Sequence, residues 1–424
     1  MNFLDELRWR GMLQDMIPET EELFKSGKMV TAYIGFDPTA ASLTIGNYVQ
    51  IMLLTLLQRA GHQPIVLMGG ATGRIGDPSF KDEERQLKTT EELDRNLAHQ
   101  VEQVSKFLNF TEGDNRALLV NNYDFYKDMN VLDFLREVGK TLTVNYMMSK
   151  ESVKKRIETG ISFTEFSYQL IQGYDFQCLF EKYNCVLQMG GSDQWGNITS
   201  GTEFIRRNLG KRAYALTTPL LTKADGKKFG KSEQGNLWID PKMTSPYKFY
   251  QFWINADDTD LPKFMRYFTL RSKVEVELLE LEHAENPREL KRLLAEELTI
   301  RIHSQEAFES VLKVSELLFG KNADQDALLA MSREELATVS EEIPAYSLNQ
   351  EALAGGMNIL DLMAQTGIAP SKAEARRAVQ GNAVSVNKEK ISTPEQIIHI
   401  EALLHGQYLM VENGKKNKIM VVVG

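Results

Sequence analysis

Cys185-Val186-Leu187-Gln188-Met189-Gly190-Gly191-Ser192-Asp193-Gln194-Trp195-Gly196-Asn197 begins as a short apolar run, halts at paired glycines, and continues into a polar segment that opens a helix. A brief apolar run of this kind reads as a strand covered on both faces, since a strand with one wet face would alternate. Pro64-Ile65-Val66-Leu67-Met68, closed by Gly69-Gly70, repeats the signature. Residues 30–36 read as another strand, ending in Asp37-Pro38-Thr39, and residues 117–120 as one more. Residues 46–60 and 91–108 carry apolar side chains at helical spacing. Buried strands interleaved with helices predict an α/β fold with a parallel, doubly wound sheet. Ligands of such sheets sit past the carboxyl ends of the strands. The polar, Gly-rich segments fall there: residues 37–39, 69–77 and 190–197.

Further along, residues 245–320 carry helical patterning with no convincing strand, and 321–356 are acidic with broken periodicity. Residues 357–424 form a compact α+β unit ending in a hairpin, Tyr408-Leu409-Met410-Val411 against 419–423. The expected organisation is a domain over 1–244, a helical domain over 245–320, a linker over 321–356 and a small domain over 357–424. A chain of 424 residues is too long for one ordinary core, which agrees. The net charge of -9 excludes a chain that coats nucleic acid along its length. The tail from Met357 differs: eight Lys/Arg face six Asp/Glu, a net of +2 that leaves -11 on the rest. The acidic N-terminus is no secretory signal, and the longest apolar run, near 51–57, is far short of a membrane span. Cys178 and Cys185, the two cysteines, match neither a redox pair nor a zinc site. A cytoplasmic, disulfide-free protein with no protein-ligated metal is expected.

Four segments carry candidate chemistry. Lys223-Ala224-Asp225-Gly226-Lys227-Lys228-Phe229-Gly230-Lys231-Ser232 places mobile point charges on a Gly-containing loop, as phosphate oxygens require. Taken alone, a solvated basic turn fits it equally well. Tyr168, Gln172 and Asp175 stack on one face of a helix that begins after Ser162 and could hold an amine or hydroxyl. A solvent-facing polar stripe is the rival reading. The run 190–197 allows close approach of a nucleotide, with a helix N-capped by Ser192 or Asp193 as the alternative. Residues 37–47 join a strand to a helix with hydroxyls and amides that would converge on phosphate, although Ser and Thr cap helices everywhere. All six histidines lie outside these segments, which argues against histidine acid/base chemistry. The set suits phosphoryl-type chemistry, in which positioning and charge stabilisation dominate.

Together these motifs resemble the bacterial tyrosyl-tRNA synthetases, a family of class I aminoacyl-tRNA synthetases, over essentially the whole chain. The likeness rests on Asp37-Pro38-Thr39, Gly69-Gly70-Ala71-Thr72-Gly73 with Ile75-Gly76-Asp77-Pro78-Ser79, Ile161-Ser162-Phe163-Thr164-Glu165-Phe166-Ser167-Tyr168, residues 190–197 and Lys228-Phe229-Gly230-Lys231-Ser232. The resemblance implies a Rossmann-like catalytic domain and a C-terminal RNA-binding domain. It implies activation of L-tyrosine by ATP with Mg2+, then transfer to the 3′-terminal adenosine of tRNA(Tyr), in a homodimer whose interface includes 130–148. By the same resemblance Tyr33 and Asp175 read the substrate phenol, and Asp77, Tyr168 and Gln172 take the ammonium group. Gln194 lies near the carboxylate, Gly191 and Asp193 near the ribose, and Leu220 and Leu221 beside adenine. Lys81, Arg85, Lys228, Lys231 and Ser232 close on the phosphates, with Thr39 facing the pyrophosphate. A buried hydroxyl–carboxylate pair would be satisfied by a phenol and left unpaired by phenylalanine.

One position departs from the family. The usual His-Ile/Leu-Gly-His is here Thr44-Ile45-Gly46-Asn47. Gly46, which would let adenine approach, remains; Asn47 offers an amide donor in place of an imidazole, and Thr44 a shorter hydroxyl. In the tail, the resemblance implies that Lys372, Arg376 and Arg377 face RNA from a helix, whereas the two-charge excess alone fits a plain solvated helix better. Two rival functions are a tryptophanyl ligase or nucleotidyltransferase of the same fold, and a non-catalytic RNA-binding protein. Indole donates but does not accept a hydrogen bond, which disfavours tryptophan beside Tyr33 and Asp175. Lys228, Lys231, Asp77, Tyr168, Gln172 and Asp175 together disfavour a mere scaffold.

Overall fold

The computed structural model describes residues 2–77, 88–150, 153–154, 156–157, 160–224, 226, 229–232, 235–320, 323–414 and 417–424, with the backbone alone at 231 and 232. They form two compact units: Met1–Thr244 with Phe252–Leu298, and Ser245–Gln251 with Thr299–Gly424.

The first unit is built on β1 (Thr31–Phe36), α1 (Ile45–Arg59), β2 (Gln63–Met68), α2 (Thr90–Val104), β3 (Leu118–Asn121), α3 (Phe163–Tyr183), β4 (Leu187–Gly191), α4 (Trp195–Leu209) and β5 (Tyr214–Thr218). The five strands pair in parallel in the order β3-β2-β1-β4-β5. This is the expected doubly wound sheet, and its order reverses between β1 and β4, where such sheets open a crevice. Tyr33, Ile65, Leu67 and Val120 of the sheet pack with Phe176 and Leu179 of α3 and Ile205 of α4. α3 starts because the Ser162 side chain accepts the Glu165 N–H, and it stops at Asn184, whose φ of 54° is left-handed. The helix α5 (Leu261–Phe268) completes the part of this unit that matters for the site. Phe264 and Phe268 of α5 join Trp253 and Phe229 in one aromatic cluster with centroids 5.1–5.9 Å apart around Phe229.

The second unit contains α6 (Gln305–Phe319), α7 (Arg333–Glu342), β6 (Ala345–Leu348), α8 (Ile359–Gln365), α9 (Lys372–Gln380), β7 (Val384–Val386), β8 (Glu389–Lys390), β9 (Tyr408–Asn413) and β10 (Asn417–Val423). Its sheet has the order β8-β7-β9-β10-β6, antiparallel except for the β10–β6 pair. The expected terminal hairpin is β9–β10. The stretch expected as a linker, 321–356, instead carries α7 and the edge strand β6. Its partner lies far downstream, so no local pattern could announce the pairing. Lys418 of β10 donates to the Leu317 and Leu318 carbonyls at 3.2 and 3.3 Å, placing a cation at the C-terminal end of α6. Among the described residues no helix is long and apolar enough to cross a membrane.

Candidate active site

Tyr33 sits in the middle of β1, opposite Ile65 of β2 and Gln188 of β4, so it is buried at the sheet's turning point. Its hydroxyl has no hydrogen-bond partner among the described residues. Asp175 of α3 bears on it electrostatically; burial first and that carboxylate second hold the Tyr33 phenol well above its ordinary pKa. Asp175 is itself 1% exposed. Its Oδ2 accepts from the Asn122 side-chain amide at 2.9 Å, and its Oδ1 from the Tyr126 hydroxyl at 2.7 Å. Burial pushes the Asp175 carboxyl up to about 7, against the opposing pull of those two donors. Asp175 is thus close enough to act on the Tyr33 phenol through its charge, and the rival reading of α3 as a solvent-facing stripe fails: Tyr168 and Asp175 are buried.

From Asn122 a chain of hydrogen bonds runs toward the strand ends. The Asn122 amide also donates to Thr72 Oγ1 at 3.1 Å, and that hydroxyl donates to Asp37 Oδ1 at 2.6 Å. Tyr168 donates to Asp37 Oδ2 at 3.0 Å. Burial, then Asp37 and Asp77, hold the Tyr168 phenol well above its usual range, with Asp175 adding to the effect. Three carboxylates thus surround one phenol, a field that favours a cation. Asp77 accepts from Gln194 Nε2 at 2.7 Å, and Asn197 donates to Gln194 Oε1 at 3.1 Å. Gln172, one turn beyond Tyr168 on α3, has a buried Oε1 without a partner among the described residues.

A second group lies at the end of β4. Gly191 is its last residue, and a Cβ added there would fall 2.5 Å from Asp193 Oδ1 and 3.7 Å from Leu220 Cδ2. Neither Ser192 nor Asp193 caps α4, which corrects that alternative: the cap position is Gln194, without a side-chain cap bond. Leu220 is 56% exposed although apolar, while Leu221 accepts the Phe229 N–H through its carbonyl. Gly46 and Asn47 are exposed at the first turn of α1, and Thr39 is exposed just past β1.

The lysine segment is fixed at both shoulders. On one side Asp260 accepts the Ala224 N–H at 2.9 Å and Lys263 donates to the Thr222 carbonyl at 2.9 Å. On the other, Phe229 is buried in the aromatic cluster described above. Gly230 follows with φ +78°, and a Cβ there would lie 2.7 Å from Ile45 Cγ2 of α1, so the backbone crosses the helix entrance closely. Lys231 and Ser232 pair through their backbones with Asn236 and Gly235. Lys81, Arg85 and Lys228 lie outside the described residues, as do the side chains of Lys231 and Ser232.

In the second unit α9 carries Lys372, Arg376 and Arg377, all exposed. Each faces an acid: Lys372 with Asp361, Arg376 with Glu395 at 3.2 Å, Arg377 with Glu374 at 3.7 Å. Sequence reasoning gave no role to Asp37, Thr72, Asn122, Tyr126 or Asn197. Asn122 stands directly after β3, so the strand-end rule applied to that strand would have found it.

A parallel sheet of this order, with three carboxylates near its turning point and a Gly-Lys segment over a helix entrance, suits a nucleotide-using α/β enzyme. Residues 25–320 match the family described as tRNA synthetases class I (W and Y). Residues 335–421 match the tyrosine–tRNA ligase SYY-like C-terminal domain. A tyrosine–tRNA ligase of Cytophaga hutchinsonii is 55% identical over 421 residues, 98% of each chain. One of Bacteroides fragilis is 52% identical over the full length of both. A C-terminally truncated Aspergillus nidulans mitochondrial tyrosyl-tRNA synthetase superposes with a TM-score of 0.67 at 28% identity, covering 75% of this chain and 94% of that one. The chain therefore belongs to the tyrosine–tRNA ligase family.

Proposed function

We propose how the site of this tyrosine–tRNA ligase divides its work. The enzyme joins the carboxylate of L-tyrosine to the α-phosphorus of ATP, releasing pyrophosphate. It then passes the tyrosyl group to the 3′-terminal adenosine of tRNA(Tyr), releasing AMP. The carrying observation is the Tyr33 hydroxyl, buried within the electrostatic reach of Asp175 and with no partner among the described residues. A substrate phenol supplies the acceptor that Tyr33 lacks and adds a donor to a carboxylate that Asn122 and Tyr126 compensate only in part. Phenylalanine leaves the Tyr33 hydroxyl unpaired and the carboxylate without its third donor.

Asp77, Tyr168 and Gln172, with Asp37 behind Tyr168, receive the ammonium group. Gln194 orients toward the carboxylate. Gly191 and Asp193 hold the ribose, and Leu220, Leu221 and Gly46 flank adenine; an exposed leucine beside a glycine at a strand end supports this. Thr39, Asn47, Lys231 and Ser232 attend the phosphates, and Lys81, Arg85 and Lys228 are assigned with them on the sequence pattern alone. Mg2+ enters with ATP as part of the substrate. The chemistry needs orientation and cations that engage as charge builds on the leaving pyrophosphate, with little acid/base help.

The catalytic role falls to the domain over 1–244 and tRNA binding to the one over 357–424, through Lys372, Arg376 and Arg377. A second copy of the chain covers 130–148, where Val131 and Leu132 are 68% and 72% exposed and Leu135, Val144 and Met148 follow. Leu132→Asp then converts a dimer to a monomer in sedimentation, and an unchanged mass would refute that interface. The reaction itself is tested by tyrosine-dependent ATP–pyrophosphate exchange. Exchange no faster than that of Lys231→Ala would contradict it.

A further inference from the structure

The entrance to α1 is closed by a box of hydrogen bonds between Thr44 and Asn47. The Thr44 N–H lies 3.0 Å from the Asn47 side chain, and the Thr44 hydroxyl 2.7 Å from the same atom. A backbone N–H only donates, so that atom is the carbonyl oxygen Oδ1. The hydroxyl proton must then also point at Oδ1, while Thr44 Oγ1 accepts the Asn47 N–H at 3.3 Å. Two consequences follow. Thr44 has one hydroxyl proton, and the box uses it. The amide of Asn47 is pinned by its oxygen, so Nδ2 is turned outward, and it makes no hydrogen bond to the described residues.

The lysine loop crosses at the same helix entrance, against Ile45 and Gly46. The Leu237 N–H donates to the Gly230 carbonyl at 2.8 Å and the Ile45 N–H to the Leu237 carbonyl at 2.9 Å, tying loop and helix entrance together. Asn47 is exposed there, next to the exposed Gly46.

We propose that Thr44 serves ATP only through Asn47: its hydroxyl and N–H lock the Asn47 amide so that Nδ2 donates to an oxygen of the nucleotide. Thr44 is a positioning residue and touches no phosphate. Without the hydroxyl only the N–H bond holds the amide oxygen, the amide turns over more often, and in the wrong orientation Oδ1 repels the oxygen that Nδ2 attracts. The donor is an amide, so it keeps its proton at every working pH. The inference rests on the ATP reading of the site.

A double-mutant cycle on kcat/KM for ATP in tyrosine-dependent pyrophosphate exchange tests it. Thr44→Val alone lowers kcat/KM by about tenfold and Asn47→Ala by up to about a hundredfold. Thr44→Ser, which keeps the hydroxyl, restores the rate. In the Asn47→Ala background Thr44→Val costs less than about twofold more, because nothing remains for it to position. The KM for tyrosine stays put throughout. Equal losses from Thr44→Val in both backgrounds would show the hydroxyl touching ATP itself and overturn the proposal. So would an unchanged ATP step in Asn47→Ala. Should the alanine variant fold poorly, Asn47→Asp keeps the oxygen that closes the box and removes the donor. It retains the melting temperature and loses at least about a hundredfold on ATP, whereas an ATP step close to that of the unaltered enzyme overturns the proposal. Absence of tyrosine-dependent exchange in the unaltered enzyme would instead refute the functional reading beneath it.

Discussion

Tyr126 donates its phenol hydroxyl to Oδ1 of Asp175 at 2.7 Å, and with Asn122 it leaves that buried carboxylate partly compensated. Burial still outweighs the two donors, which is why the group titrates at about 7 rather than near 4. Between these values the folded protein holds a proton that the unfolded chain has released. Stability of the empty enzyme therefore falls as pH rises from about 4 to 7 and levels off above. Tyrosine binding runs the other way, since the phenol needs the ionised acceptor. We expect its Kd to tighten by up to about tenfold per pH unit below 7 and flatten above it. Calorimetry between pH 5.5 and 8 checks this, with Asp175→Asn losing both dependences. A Kd independent of pH in the unaltered protein would rule the reading out.

Tyr33→Phe is expected to separate stability from selectivity. The hydroxyl it removes is buried and unpartnered, so the empty protein gains about 1 kcal/mol. The preference for tyrosine over phenylalanine falls by roughly tenfold to a hundredfold. Thermal denaturation and parallel kcat/KM measurements read the two effects. A loss of stability with selectivity intact would be the opposite result.

Phe229 is held by Trp253, Phe264 and Phe268, and Gly230 and Lys231 follow directly. Phe229→Ala opens a cavity costing roughly 3–5 kcal/mol if the site does not collapse. It also frees the lysine loop, and adenylate formation slows by at least about tenfold while tyrosine affinity holds. Single-turnover kinetics with equilibrium binding separate the two. An unslowed chemical step would mean that the anchor is immaterial.

Removing residues after Gly356 is expected to spare adenylate formation and abolish transfer to tRNA. It also strips β10 from β6, leaving an unpaired strand edge. Removing everything after Pro344 takes both strands away and yields the better-behaved protein. Aminoacylation that survives either cut would refute the division of labour.

The sheet was readable because its central strands β1, β2 and β4 are largely buried, so each is a short, mainly apolar run ended by glycine or a polar turn. The helix face of Tyr168, Gln172 and Asp175 was readable because spacing within one element needs no tertiary knowledge. The polar chain linking Asp175, Asn122, Thr72, Asp37 and Tyr168 was not. Its members come from separate elements, with Tyr168 and Asp37 131 residues apart, and only the strand order brings them together. β6 stayed hidden for the same reason. The Thr44–Asn47 box was hidden differently: the segment's hydroxyls suggested a cap and Asn47 an amide donor, but which atom faces outward depends on the bonds actually made.

The central claim is that Tyr33 and Asp175 together recognise a phenol while ATP is activated beside them. ATP–pyrophosphate exchange with tyrosine, phenylalanine and tryptophan in parallel addresses it most directly. Exchange is expected to be rapid with tyrosine and almost absent with the other two, the gap to phenylalanine narrowing in Tyr33→Phe. Comparable exchange with phenylalanine in the unaltered enzyme would contradict it.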